Sequence, residues 1–244
     1  MERTIALVPA WNEGGRIELT VSGLLAIPSV TGVVVVDDGS GDQTAAEALA
    51  SGACCLSLPR RVGKGDALNA GVALIRQHIT DGLVGVPDVL LLADGDLEGS
   101  ACELQLLIDA LGDHTADLTI ADLPPQSGAF GFGLAKGLAA AGLRHLTGRA
   151  MKEPLSGQRA LRWLALPALV PFAPGFGVEV AMTLAAIGAG LTVHEVEVPL
   201  THVATGRDRA GIFHRANQTR SIATELIKHA GSNARLRRAR SQAM

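Results

Sequence analysis

An α/β fold, with a mostly parallel sheet flanked by helices and a C-terminal helical arm, is predicted by three observations. Short apolar runs at 4–8, 33–36, 53–58 and 89–93 have the composition of strands buried on both faces. Stretches with apolar residues at helical spacing separate them. The chain has 244 residues, 48% apolar and 18% charged, which is enough to bury one large core.

Along the chain, the first run follows Glu2 and Arg3 directly, and a helix over 14–25 follows Asn12, a good N-cap residue. The second run is followed by Asp42 and a helix over 43–50, the third by a Gly-Lys-Gly turn and a helix over 66–75. This alternation predicts parallel strands, whose ligands gather beyond their carboxyl ends, in the loops after Val8, Val36, Leu58 and Ala93. The second half predicts a helix over 134–146, a strand over 158–161, a helix over 178–187 and a strand over 192–198. Ile212, Phe213, Ala216, Ile222, Ala223, Leu226 and Ile227 recur at helical spacing and predict a terminal helix that packs back on the body. The Pro- and Gly-rich stretches 123–133 and 167–177 read as surface loops over a site.

Composition excludes several functions. Phe and Trp make up 3% of the chain and Tyr is absent, so a platform for stacking single-stranded nucleic acid has little to be built from. From Arg207 onward nine basic side chains face two acidic ones, which leaves twelve basic against twenty-two acidic in residues 1–206. An acidic body argues against a nucleic-acid partner, whereas the basic tail could be solvated or could meet anionic lipid. Cys54, Cys55 and Cys102 lack disulfide or zinc spacing, which suits a cytoplasmic protein. The uncharged stretch 163–178 carries Pro167, Pro171 and Pro174 and does not read as a membrane span.

Each predicted loop carries candidate chemistry. Pro9-Ala10-Trp11-Asn12-Glu13 places a rigid turn and a carboxylate where a nucleotide base could lie, although Asn12 and Glu13 also suit a helix start. Asp37 and Asp38, adjacent at a strand end, repel each other unless donors or a ligand engage them. Gly63-Lys64-Gly65 aims backbone N–H groups and an ammonium at an anion such as a diphosphate, or forms an ordinary glycine turn. Asp94-Gly95-Asp96 can converge two carboxylates on a hard divalent cation that also binds substrate phosphates.

Together, Pro9 to Glu13, Val36-Asp37-Asp38-Gly39-Ser40, Gly63-Lys64-Gly65-Asp66-Ala67-Leu68 and Asp94-Gly95-Asp96 resemble the nucleotide-sugar half of GT-A (Rossmann-like) glycosyltransferases. They are similar to family 2 enzymes of the polyprenyl-phosphate glycosyltransferase and glucosyl-3-phosphoglycerate synthase type. Pro154-Leu155-Ser156-Gly157-Gln158-Arg159-Ala160-Leu161 resembles the acceptor-side segment of these families. Pro171 to Glu179 resembles the turn and donor-sugar carboxylate of the phosphoglycerate-using branch. Where that branch has a Gly-Gly-Arg-Val-Thr phosphate element, this chain has the apolar 127–136 segment.

The resemblance implies a metal-dependent glycosyltransferase using a UDP-sugar or GDP-sugar and Mg²⁺ or Mn²⁺. It implies donor contacts at Pro9, Ala10, Trp11, Glu13, Asp37, Asp38, Gly63, Lys64, Asp94 and Gly95, and catalytic roles for Glu179, Asp96 and Lys64. Ser156, Gly157, Arg159, Gly177, Glu179 and Arg207 are implied on the acceptor or sugar side, and Asp96, Asp94 and His202 at the metal. Read by itself, His202 is a partly buried loop histidine. The acceptor is expected to be a phosphorylated small molecule or a polyprenyl phosphate. Peripheral contact of the basic tail with the inner membrane face, and homodimerisation, stay open. One domain is expected over 1–230, with a nucleotide-sugar half (1–100), an acceptor half (101–206) and a packing helix (207–230), followed by a flexible tail over 231–244. A nucleotidyltransferase has similar ingredients but normally carries a Gly-x-Gly-Thr-Arg loop after its first strand, and a non-catalytic nucleotide-sugar-binding protein would bind donor without turnover.

Overall fold

The computed structural model describes residues 2–112, 115–123, 132–200, 223, 224, 226 and 227. Its strands are β1 (Thr4–Ala10), β2 (Val30–Asp37), β3 (Cys54–Ser57), β4 (Val89–Leu92), β5 (Leu118–Asp122), β6 (Arg159–Arg162) and β7 (Val193–Glu197). Its helices are α1 (Ile17–Leu25), α2 (Thr44–Ala50), α3 (Lys64–Thr80), α4 (Gln105–Gly112), α5 (Phe132–Thr147) and α6 (Val178–Gly188). One sheet has the order β3-β2-β1-β4-β6-β5-β7. All its pairings are parallel except those of β6, which runs antiparallel to both β4 and β5.

Alternation along the strands divides the core into two layers. Ala6 and Val8 of β1, with Val33 and Val35 of β2, pack under α1, α2 and α4. Ile5 and Leu7, with Val34 and Val36, face α3 and α6. α3 turns Ala67, Leu68, Val72 and Ile75 into that second layer at three- and four-residue spacing. Because β1, β2, β3 and β4 are parallel, the loops that follow them open on one edge of the sheet.

The predicted elements differ from this fold at several places. β5 and α4 are not among them; the sheet is mostly parallel as expected, with β6 as its antiparallel strand, a direction that four residues do not reveal. Asn12 does not cap α1: its φ is +57°, its N–H donates to Ser40 Oγ (2.9 Å), and its Oδ1 accepts the Gly41 N–H (3.0 Å). The 167–177 stretch is no loose surface loop. It takes in the end of one short 3-10 turn, Trp163–Ala168, and the whole of another, Gly175–Gly177, and buries Phe172. The Phe172 N–H donates to Asn69 Oδ1 (2.8 Å), and Asn69 Nδ2 donates to the Phe172 carbonyl (2.9 Å). Gly65 makes the close approach achievable, since a Cβ there would overlap the Ala173 carbonyl. Of the predicted terminal helix, Leu226 is buried with Ala139, Leu143 and Val180 of α5 and α6. Residues 124–131, 201–222 and 228–244 lie outside the described residues. Among the described residues, no helix is long and apolar enough to cross a membrane.

Candidate active site

The β1 and β2 loops are stitched together before any site residue is placed. Glu13 N–H donates to Thr44 Oγ1 (2.8 Å), Gly14 N–H to Asp42 Oδ2 (3.0 Å) and Gly15 N–H to Glu47 Oε2 (2.6 Å). Asp37 accepts the Ser40 N–H on its Oδ1 (3.0 Å). Asp38 reaches across to the third loop, where its two oxygens accept the N–H groups of Val62 (2.6 Å) and Gly63 (2.8 Å). Two adjacent carboxylates are therefore tolerated because backbone donors engage both. Asp38, expected beside a base, is a buried strut that sets the turn from which Lys64 projects.

Lys64 opens α3, and its ammonium lies 2.7 Å from Asp94 Oδ1 and 2.9 Å from Glu179 Oε1. Burial works against its charge, but the Asp94 and Glu179 carboxylates outweigh that and hold its pKa above the ordinary lysine value. Glu179 is itself buried in the first turn of α6, where a carboxylate also suits the helix dipole. The second Asp94 oxygen accepts from Gln158 Nε2 (2.7 Å), and Gln158 Oε1 accepts from Ser156 Oγ (3.2 Å). Gly157 lies against the Lys64 and Asp94 side-chain ends. Residues from α3, the β4 loop, the segment before β6 and α6 thus meet around one ammonium.

Beside this cluster, Gly95 packs on Glu13 and Ala10, which brings the β4 loop against the β1 loop. Thr20 of α1 pins the β4 loop: its Oγ1 donates to the Gly95 carbonyl (2.9 Å) and accepts the Glu98 N–H (2.8 Å). Glu13 is ion-paired with Arg16. Burial pushes the Glu13 carboxyl up to about 7, with Asp96 and Asp94 acting the same way and Arg16 opposing. Glu13, Asp94 and Asp96 form an oxygen-only concentration of negative charge, chemistry that suits a hard divalent cation. Among the described residues, no three such side chains close on one point, so a cation there would need substrate oxygens or ligands from elsewhere. Asp94 is held by Lys64 and Gln158, one on each of its oxygens. His202 and Arg207 lie outside the described residues.

Arg159 corrects the sequence expectation. It is 0% exposed and holds no acceptor surface. Its guanidinium donates to the carbonyls of Ser156 (2.9 Å) and Pro154 (3.3 Å) and to Thr183 Oγ1 (3.0 Å), bracing the segment that carries Gln158 against α6. Burial lowers its pKa, with Glu179 and Glu195 opposing. Ser156 is likewise buried and turned toward Gln158, and Gly177 is the buried residue from which α6 starts. Glu195 fixes the same segment further upstream, accepting the N–H groups of Lys152 (2.8 Å) and Glu153 (2.7 Å). Two participants carry no predicted role: Gln158, within the 154–161 segment, and Arg61, whose guanidinium lies 3.5 Å above the Trp11 ring.

The sheet order, the reversed β6 and the cluster at the carboxyl edge define a glycosyltransferase of the GT-A architecture. Residues 5–155 match the profile of glycosyl transferase family 2, and the chain belongs to that family. Glucosyl-3-phosphoglycerate synthase of Mycobacterium tuberculosis is 33% identical over 209 residues, covering 75% of this chain and 60% of that protein. The synthase of Mycolicibacterium paratuberculosis is 32% identical over 207 residues, covering 74% and 59%. The chain thus spans about 60% of the length of the curated relatives it matches. The crystal structure of the M. tuberculosis synthase with Mn²⁺, UDP-glucose and phosphoglyceric acid superposes with a TM-score of 0.74 at 26% identity, covering 94% of this chain and 80% of that one.

Proposed function

We propose that this chain transfers a sugar from a nucleotide diphosphate sugar, a UDP-sugar ahead of a GDP-sugar, to a phosphate-bearing acceptor, with a divalent cation. The observation that carries this reading is the Lys64 ammonium, fixed between Asp94 and Glu179 at the carboxyl edge of the sheet. The Mn²⁺, UDP-glucose and phosphoglyceric acid of the related synthase agree with it.

In this reaction the bond between the anomeric carbon and the diphosphate breaks, its electron pair leaving on the diphosphate, while an acceptor oxygen bonds to that carbon: a phosphate oxygen that is already anionic, or a hydroxyl oxygen whose proton passes to water. Lys64 meets the departing charge at the start of α3, where backbone N–H groups also favour an anion. Glu179 orients the sugar by accepting its hydroxyl protons in hydrogen bonds, while its ion pair keeps Lys64 in place. Trp11, Ala10 and Pro9 line the base side. Asp96, with Asp94 beside it and His202 as the sequence-implied third ligand, holds the cation, which supplies further positive charge to the diphosphate when bound. Residues 1–230 act as one unit in this reading, and a polyprenyl phosphate offers the acceptor the same phosphate chemistry as a small molecule.

Calorimetric titration with UDP and GDP, with and without Mn²⁺, followed by assay of UDP-glucose hydrolysis, tests the proposal. Mn²⁺-dependent UDP binding that weakens in Asp96→Ala and His202→Ala is the expected result. Consumption of a nucleoside triphosphate with pyrophosphate release would replace it with nucleotidyl transfer.

A further inference from the structure

Building on the nucleotide-sugar reading, we propose that Arg61 is a displaceable, specificity-determining cap on the base seat, covering the Trp11 ring until a nucleobase replaces it and then pairing with the donor diphosphate.

Trp11 is 40% exposed and sits in the β1 loop at the carboxyl edge of the sheet, in a chain with two tryptophans. The neighbouring Asn12 ties this loop to Ser40 and Gly41, so the indole is presented from a fixed backbone. Arg61 lies over the ring at 3.5 Å, the separation of stacked planes. A flat base does not fit between two planes at that spacing, so base and guanidinium compete for one indole face.

The two parts of Arg61 are held very differently. Asp38 accepts the N–H groups of the next two residues, Val62 and Gly63, which anchors the Arg61 main chain beside the Lys64 turn. The side chain is exposed, and among the described residues it forms no ion pair with a carboxylate. An exposed cation–π contact is weaker than stacking of a base on an aromatic face, so the base wins the face. The displaced cation stays on the anchored turn that also carries Lys64, where an anionic diphosphate gives it a partner. An uncharged nucleoside must displace the same cation and offers it nothing in return. The cap therefore selects for a base joined to phosphate.

The test is calorimetric titration of the full chain with uridine and with UDP, in the presence of Mn²⁺, for wild type, Trp11→Leu, Arg61→Ala and Arg61→Lys, each checked for an unchanged melting temperature. Trp11→Leu is expected to weaken UDP about 10-fold or more. Arg61→Ala is expected to weaken UDP several-fold while strengthening uridine, with Arg61→Lys recovering most of the UDP affinity. Equal weakening of uridine and UDP in Arg61→Ala would overturn the cap in favour of a plain base clamp, as would unchanged UDP affinity in Trp11→Leu. Wild-type protein that binds no UDP overturns the underlying donor reading, a result separable from both.

Discussion

Gln158 donates its side-chain amide to Asp94 Oδ2 at 2.7 Å, and the opposite Asp94 oxygen holds the Lys64 ammonium at 2.7 Å. A neutral residue that is 1% exposed therefore sets the position of the cation assigned to the diphosphate. Replacing Gln158 with Leu removes one donor from a part-buried carboxylate, a loss of about 1–3 kcal/mol in stability. Denaturant midpoints measure that loss. Gln158→Glu keeps a donor to Asp94 only where its carboxyl is protonated, so at low pH UDP affinity, measured alongside, is expected to fall less in Gln158→Glu than in Gln158→Leu.

Glu13 gives a pH signature in metal-free protein. Its carboxyl is raised from 4.5 to about 7, so the fold favours the protonated form. The associated stability is complete below pH 4.5 and is lost as pH rises through about 7. Above that range Glu13→Gln is expected to be more stable than wild type by about 1–3 kcal/mol in EDTA, with the two converging near pH 4. Thermal melts across this range check it, and Mn²⁺ at neutral pH is expected to narrow the difference.

Arg159→Met removes the buried guanidinium that joins the segment before β6 to α6. Ser156 and Pro154 lose a donor to their carbonyls, and Glu179 loses a nearby positive charge. A loss of about 3–5 kcal/mol is expected from breaking such a buried arrangement. Guanidinium unfolding would show it, and a loss below about 1 kcal/mol would contradict the bracing role.

Gly65→Ala sets a methyl group against the Ala173 carbonyl, which is backbone and cannot swing aside. A destabilisation of about 1–3 kcal/mol is expected from the overpacking. Because Gly65 adjoins Lys64, UDP affinity is expected to fall with it, whereas Gly112→Ala, with open space around it, leaves UDP binding unchanged.

Much of this architecture can be read from the residues themselves. β1, β2 and β4 are dense apolar runs, and Gly63-Lys64-Gly65 and Asp94-Gly95-Asp96 fall at the carboxyl edge as the alternation predicts. The parts that escape depend on partners distant in sequence. β5 buries the polar Thr119 at its second position, tolerated because its hydroxyl donates to the Leu107 carbonyl (2.9 Å). Arg159 reads as a surface cation until its carbonyl acceptors are known. Asp38 reads as a ligand residue, yet its two oxygens are taken by N–H groups more than twenty residues away. Chain order locates the loops, but the donors and acceptors opposite each side chain decide whether it faces a substrate or holds the frame.

The paired bonds between Asn69 and Phe172 join positions 103 residues apart, and they do so with a side chain imitating one rung of a backbone ladder. Cutting the chain after its first hundred residues would strip that amide of both partners and uncover the apolar flank of α3. Part of the packing of residues 1–100 is therefore supplied by the second half of the chain. The rung links α3, which opens with Lys64, to the segment that leads into α6 and Glu179.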